Sequence, residues 1–214
     1  TVVEIPQVTD WSIAKDSVHL PASITQDSFV LDIQSEPVRV IGLIPGQLFT
    51  EELHRKTGDE DILKMAVIER HHNSGTVGLG FVNGFNFLKG AIASTVGHDA
   101  HNIAVVGDND KDMFVATTAL ASAGGGQCVV SGGKVLALLP LPIAGIMSDA
   151  NPEIVIAQQH AVLKAVSSLG CPLDDPFMPL SFLPLSVIPK LKLSNLGLVD
   201  VDQFAIVPIE VCQK

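Results

Sequence analysis

The densest concentration of groups able to do chemistry is Gly97-His98-Asp99-Ala100-His101-Asn102, between two apolar runs. Imidazoles at 98 and 101, a carboxylate at 99 and an amide at 102 can orient a substrate, move protons or hold one edge of a metal site. A His-x-x-His pair does not complete a zinc site, which takes three or four ligands. The plain alternative is a polar turn whose side chains cap backbone groups. Spacing alone favours neither reading. A second cluster, Glu69-Arg70-His71-His72-Asn73, ends an apolar strand, a place where binding groups often sit. For His72 and Asn73 the better reading is a solvated turn running to Gly75. Glu69, Arg70 and His71 stay secondary candidates, because a Glu-Arg pair can brace a pocket.

Other motifs fail on context. Gly124-Gly125-Gly126 follows a helix, so it reads as helix termination and not as a phosphate cradle. Gly78-Leu79-Gly80 lacks the third glycine and the following helix of a dinucleotide fingerprint. Ser148-Asp149 lacks a nucleophile elbow. His19, His54 and His160 stand alone and read as surface or packing residues. The cytidine-deaminase pattern is absent, since Cys171 precedes its proline and no cysteine pair has the needed spacing. The His-x-His that opens amidohydrolase barrels is absent too.

The elements that must position these clusters are mostly strands. Ser28–Ile33, Val38–Ile44 and residues 46–53 read as strands, punctuated at Pro37 and Pro45-Gly46. A soft boundary falls near Arg55–Asp59, giving a β-rich segment 1–55 and a domain 56–214. Lys64–Arg70, Thr76–Val82, Ala91–Thr95 and Asn102–Val106 follow as strands. Asn109 reads as the N-cap of a helix running to about Ala123. Gln127–Val130 and Lys134–Leu139 form a hairpin about Gly132-Gly133. A second helix starts at Asn151 or Pro152 and ends at Leu169 before Gly170. Beyond it, prolines 172, 176, 179, 184 and 189 mark ordered loops anchored by Phe177, Phe182, Leu185 and Ile188, and Phe204–Val207 is a last strand. The expected fold class is α/β or α+β: a mixed β-sheet domain with a few helices, preceded by the β-rich segment.

Composition bounds the partners. A net charge of −10 with no Lys/Arg-rich run argues against nucleic acid. No uninterrupted apolar stretch has membrane-spanning length. Cys128, Cys171 and Cys212 are odd in number and widely spaced, which points away from a disulfide framework and toward a reducing, cytoplasmic setting. Mean hydropathy of +0.39 is high and predicts extensive burial or a large contact surface. The start, Thr1 to Pro6, has neither an initiator Met nor a basic-then-apolar leader pattern, so the chain is expected to begin partway through a longer one.

Four stretches, taken together, resemble the adenine deaminase family of the amidohydrolase superfamily. They are VIERHHNSGTVGLGFVNGF (67–85), KGAIASTVGHDAHNIAVVGDNDKDM (89–113), AGGGQCVVSGGKVLALLPLPIAGIMSD (123–149) and DPFMPLSFLPLSVIPKLKLSNLGLVDV (175–201). VRVIGLIPGQLFTEEL (38–53) looks like the family segment that follows the barrel. Gly97, Ala100 and Asp108 depart from the family's Ala, Ser and Thr, whereas His98, Asp99, His101 and Asn102 keep its pattern. The resemblance covers the C-terminal portion of such a protein. It implies a parent that hydrolyses adenine to hypoxanthine and ammonia in purine salvage, with divalent Mn, Fe or Zn in a barrel upstream of Thr1. It also implies adenine, the barrel domain and further copies as partners, and neither a catalytic residue nor a metal or other cofactor in this chain. Three readings result: a fragment inactive alone, with His98–Asn102 serving the site; a non-catalytic interaction or oligomerisation module; and an autonomous metallohydrolase using His71, His98, Asp99 and His101.

Overall fold

The computed structural model describes residues 10, 12–87 and 89–211. Thr1 to Pro6, on which the leader reading rests, and Cys212 lie outside these. A four-residue helix α1 (Ser12–Lys15) precedes a 3-10 turn (Gln26–Phe29). The strands are β1 (Val38–Leu43), β2 (Thr50–Arg55), β3 (Leu63–Ile68), β4 (Val77–Asn83), β5 (Ala91–Ser94) and β6 (Ile103–Gly107). Helix α2 (Asp110–Ser122) leads to the hairpin β7 (Gly126–Ser131) and β8 (Lys134–Pro140). Then come α3 (Pro152–Ser168), α4 (Phe177–Phe182), β9 (Leu191–Ser194), β10 (Gly197–Asp200) and β11 (Ala205–Ile206).

Strands β1 to β8 make one mixed sheet in the order β2-β1-β4-β3-β6-β5-β7-β8, and β11-β10-β9 make a small second sheet. Among the described residues only the β1–β4 pair of this sheet is parallel. This is the expected mixed-sheet α+β architecture. The β1–β2 hairpin, which lies within residues 1–55, joins the same sheet as the later strands.

Both faces of the large sheet are covered. On one, Met113, Ala116 and Leu120 of α2 recur at helical spacing and pack with Phe29 over Ala66, Ile68, Ile103 and Cys128. On the other, Val162 and Val166 of α3, Leu180 of α4 and Leu191, Leu193 and Leu198 cover Met65, Val67, Ile92 and Val106. Burial on both faces is why β3, β5 and β6 read as continuous apolar runs. Helix α2 is capped as expected: the Asn109 side chain accepts from Asp112 N at 2.9 Å. Asp112 then accepts from Gly132 N and Gly133 N at 3.0 and 2.6 Å, tying the helix to the β7–β8 turn.

Three expectations need correction. Ser28–Ile33 is not a strand; Thr25 and Ser28 close a 3-10 turn and Phe29 plugs into the α2 layer, edge-on to Phe114 at 6.4 Å. The strand expected at 46–53 starts later, because Pro45-Gly46 make the turn, and continues through polar Glu51–Arg55 as an outer edge strand. The Pro-rich stretch holds helix α4. It is followed by the β9–β10 hairpin, unanticipated by the sequence reading, with Gly197 paired to Ser194 across Asn195-Leu196. Gly78 and Gly80 serve this hairpin: a Cβ on Gly78 would lie 1.9 Å from the Ser194 carbonyl oxygen.

Candidate functional site

β3 and β5 end, and β6 and β7 begin, at the same margin of the sheet. Antiparallel pairing of Ile68 with Ile103 therefore brings Glu69-Arg70 alongside His101-Asn102. Both sequence clusters meet on this rim, which residues 14–19 and 143–147 also cross.

Arg70 organises the rim. Its side chain is fully buried and has no carboxylate partner among the described residues. It donates from Nε to the His101 carbonyl at 2.5 Å, and through its two terminal nitrogens to the Ser17 and Ala144 carbonyls at 2.7 and 2.8 Å. His101 and Ala144 both sit in the left-handed region, at φ of 49° and 56°. One cation thus holds two strained loops and the N-terminal segment together. Gly145 leaves it room, since a Cβ there would press on the guanidinium at 3.1 Å. Burial pulls the Arg70 pKa below its ordinary value and the Glu69 charge opposes this; the guanidinium remains charged.

Glu69 does not pair with Arg70. Its carboxylate folds back on the following turn and accepts from His71 N (2.5 Å), His72 N (2.8 Å), Ser74 N (3.1 Å) and the Ser74 hydroxyl (2.7 Å). Burial alone would raise its pKa; the bonds from Ser74, then His72 and His71, reverse this and hold it at about 2. Glu69 is therefore a structural knot. His72 is exposed and Asn73 turns at φ 57°, in keeping with a solvated turn.

The 97–102 loop presents its members unequally. His98 and Asp99 are exposed, and neither side chain has a polar partner among the described residues. The His98 ring lies flat on Phe182 of α4, with centroids 3.7 Å apart. Its backbone N–H donates to the Ser181 carbonyl at 3.0 Å. Asp99 is held at φ 104°. His71 reaches the loop through Nε2 and the Ala100 carbonyl, 2.6 Å apart. His101 is half-buried, and its Nδ1 accepts from Gly97 N at 3.2 Å, which places the neutral ring's proton on Nε2. Burial lowers its pKa first, and Arg70, His71 and His98 lower it further against Asp99. Asn102 is buried; it donates to Asn195 Oδ1 at 3.4 Å, and its own Oδ1 has no partner among the described residues.

His71, His98, Asp99 and His101 share one rim without forming a metal cage. Among the described residues no three His, Cys, Asp or Glu side chains converge on a common point. The arrangement offers one exposed imidazole and one exposed carboxylate on a loop fixed from beneath. It suits hydrogen bonding to a polar ligand or to a neighbouring domain.

Two features escaped the sequence reading. Lys192 is fully buried on β9, its ammonium donates among the described residues only to the Leu48 carbonyl at 3.1 Å, and burial lowers its pKa to about 8. The available signal was a lysine inside the alternating run Leu191-Lys192-Leu193. Beside it lies a cavity of about 450 Å³ whose lining includes Leu43, Leu48, Phe49, Met178 and Phe182. Phe182 is thus shared between the cavity and the His98 loop.

Comparison with known proteins adds a family. Residues 47–205 match the family model described as adenine deaminase C-terminal domain. The chain is 48% identical over 191 residues to an adenine deaminase of Desulfatibacillum aliphaticivorans, covering 85% of this chain and 34% of that protein. It is 44% identical over 222 residues to one of Moorella thermoacetica, covering 97% and 37%. For Methanothrix thermoacetophila the values are 46% over 203 residues, 90% and 35%. The chain therefore spans about a third of the length of these curated relatives.

Proposed function

The chain belongs to the family of adenine deaminase C-terminal domains, and from that premise we propose that it is the non-metal portion of a hydrolase converting adenine and water to hypoxanthine and ammonia. The relatives carry that name while this chain covers only about a third of their length. A divalent Mn, Fe or Zn ion in the remaining barrel supplies the activation of water. The parent works in purine salvage in the cytoplasm as a homo-oligomer. No helix among the described residues is long and apolar enough to cross a membrane.

Within that parent, His98–Asn102 closes over the purine or orders the site, and this chain alone is inactive. The observation that supports this is the exposed His98-Asp99 pair on a loop that Arg70 fixes from beneath. His98 is braced by Phe182, so its ring edge stays directed without a polar tether. Asp99 offers acceptors suited to an exocyclic amine. In the full-length enzyme, His98→Ala and Asp99→Ala are each expected to lower kcat/KM about tenfold, about 1.4 kcal/mol, with little change in melting temperature. Wild-type kinetics in both would make the loop structural.

A second reading, an interaction module supporting the barrel, is favoured by the half-exposed Leu48, Phe49 and Met178 around the cavity. Kinetics of the loop variants separate the two.

A further inference from the structure

The cavity beside α4 combines two properties that a solvent-filled surface depression does not need. Its mouth carries large apolar side chains left bare, with Phe49 54% and Met178 53% exposed. Bare apolar groups clustered round a concavity mark a contact surface. Its floor holds Lys192, a buried ammonium whose only bond is to the Leu48 carbonyl and which has no ion-pair partner among the described residues. A buried charge without a counter-charge is costly, and an anion brought into a low-dielectric groove is attracted to it without direct contact. Asp174 and Asp175 on the rim do not fill that role: neither ion-pairs with Lys192, and Asp175 is bonded to Phe177 N and Met178 N at 3.0 and 3.2 Å, capping α4.

We propose that this groove is the docking site for an apolar, carboxylate-bearing segment of the remaining two-thirds of the parent polypeptide. Chain length argues for that occupant, since the part matched here is only 34% and 37% of two curated relatives. Position argues for it as well. Phe182 lines the groove and carries the stacked His98, so the groove and the candidate loop form one continuous face. Docking in the groove then fixes α4, the platform beneath His98. This rests on the reading that the chain works joined to a catalytic barrel.

The test is site-specific photo-crosslinking in the full-length enzyme, with benzoylphenylalanine placed at Phe49 in one variant and at Met178 in another. Both positions are half-exposed, so the fold tolerates the probe. Expected are intramolecular crosslinks from both positions to one upstream segment containing Asp or Glu. Phe49→Asp is expected to abolish the Met178 crosslink, and Lys192→Met to weaken it severalfold. A product of doubled mass shows a second copy in the groove and overturns the proposal. So does a crosslink to a segment without acidic residues, or no crosslink at all. The map is read without any activity measurement, so its failure is distinct from a failure of the loop variants to lose kcat/KM.

Discussion

Replacing Glu69 by glutamine tests the rim's internal logic. The carboxylate accepts three backbone N–H groups and a hydroxyl. Glutamine keeps the size but turns one acceptor into an NH₂ facing donors, which leaves N–H groups opposed. The gap between an ordinary value of 4.5 and about 2 in the fold corresponds to about 3 kcal/mol. Because the folded value is the lower one, this stabilisation is complete above the unfolded value near 4.5 and is lost as pH falls toward 2. Urea unfolding of wild type and Glu69→Gln from pH 7 down to about 2.5 isolates the effect, since every other carboxylate titrates in both proteins. The expected stability difference is about 3 kcal/mol at pH 7, shrinking steadily below pH 4.5. A difference that stays constant with pH, or is below about 1 kcal/mol at pH 7, would show that these bonds do not stabilise the Glu69 carboxylate.

Arg70→Met removes the donor to three main-chain carbonyls. The loss is expected to be about 3–5 kcal/mol by urea unfolding, reduced by relief of the cation's own burial; a loss under about 1 kcal/mol contradicts the staple. Gly78→Ala drives a Cβ to 1.9 Å from the Ser194 oxygen, with an expected cost of about 2–3 kcal/mol in the same assay. Gly58→Ala, with nothing within 4 Å, is the matched control and should stay within about 0.5 kcal/mol of wild type.

Much of the scaffold was legible because local chemistry and tertiary demand agree. Asn109 caps α2 and Pro152 opens α3 where the sequence places them. The two glycines of the β7–β8 turn adopt the positive φ that their type suggests. Misreadings arise where a long-range contact decides. Phe29-Val30-Leu31 is an apolar run of strand-prone residues, yet Phe29 is claimed by α2. The Leu191–Asp200 hairpin hides among prolines and exists because Gly78 and Gly80 let it lie on the sheet. The His98 loop was visible as a cluster of types. Its support was not, because Arg70 reads as a charged strand end until the fold brings Ser17, His101 and Ala144 to it. Lys192 and its groove are likewise products of packing between distant segments.

The chemistry is proposed to belong to the parent's barrel, with this chain in a supporting role. The direct measurement is metal content and adenine turnover of the purified chain beside the full-length enzyme. Deamination is expected from the full-length protein only, with no stoichiometric metal and no turnover in the chain alone. About one equivalent of bound metal together with conversion of adenine to hypoxanthine by the isolated chain would contradict it.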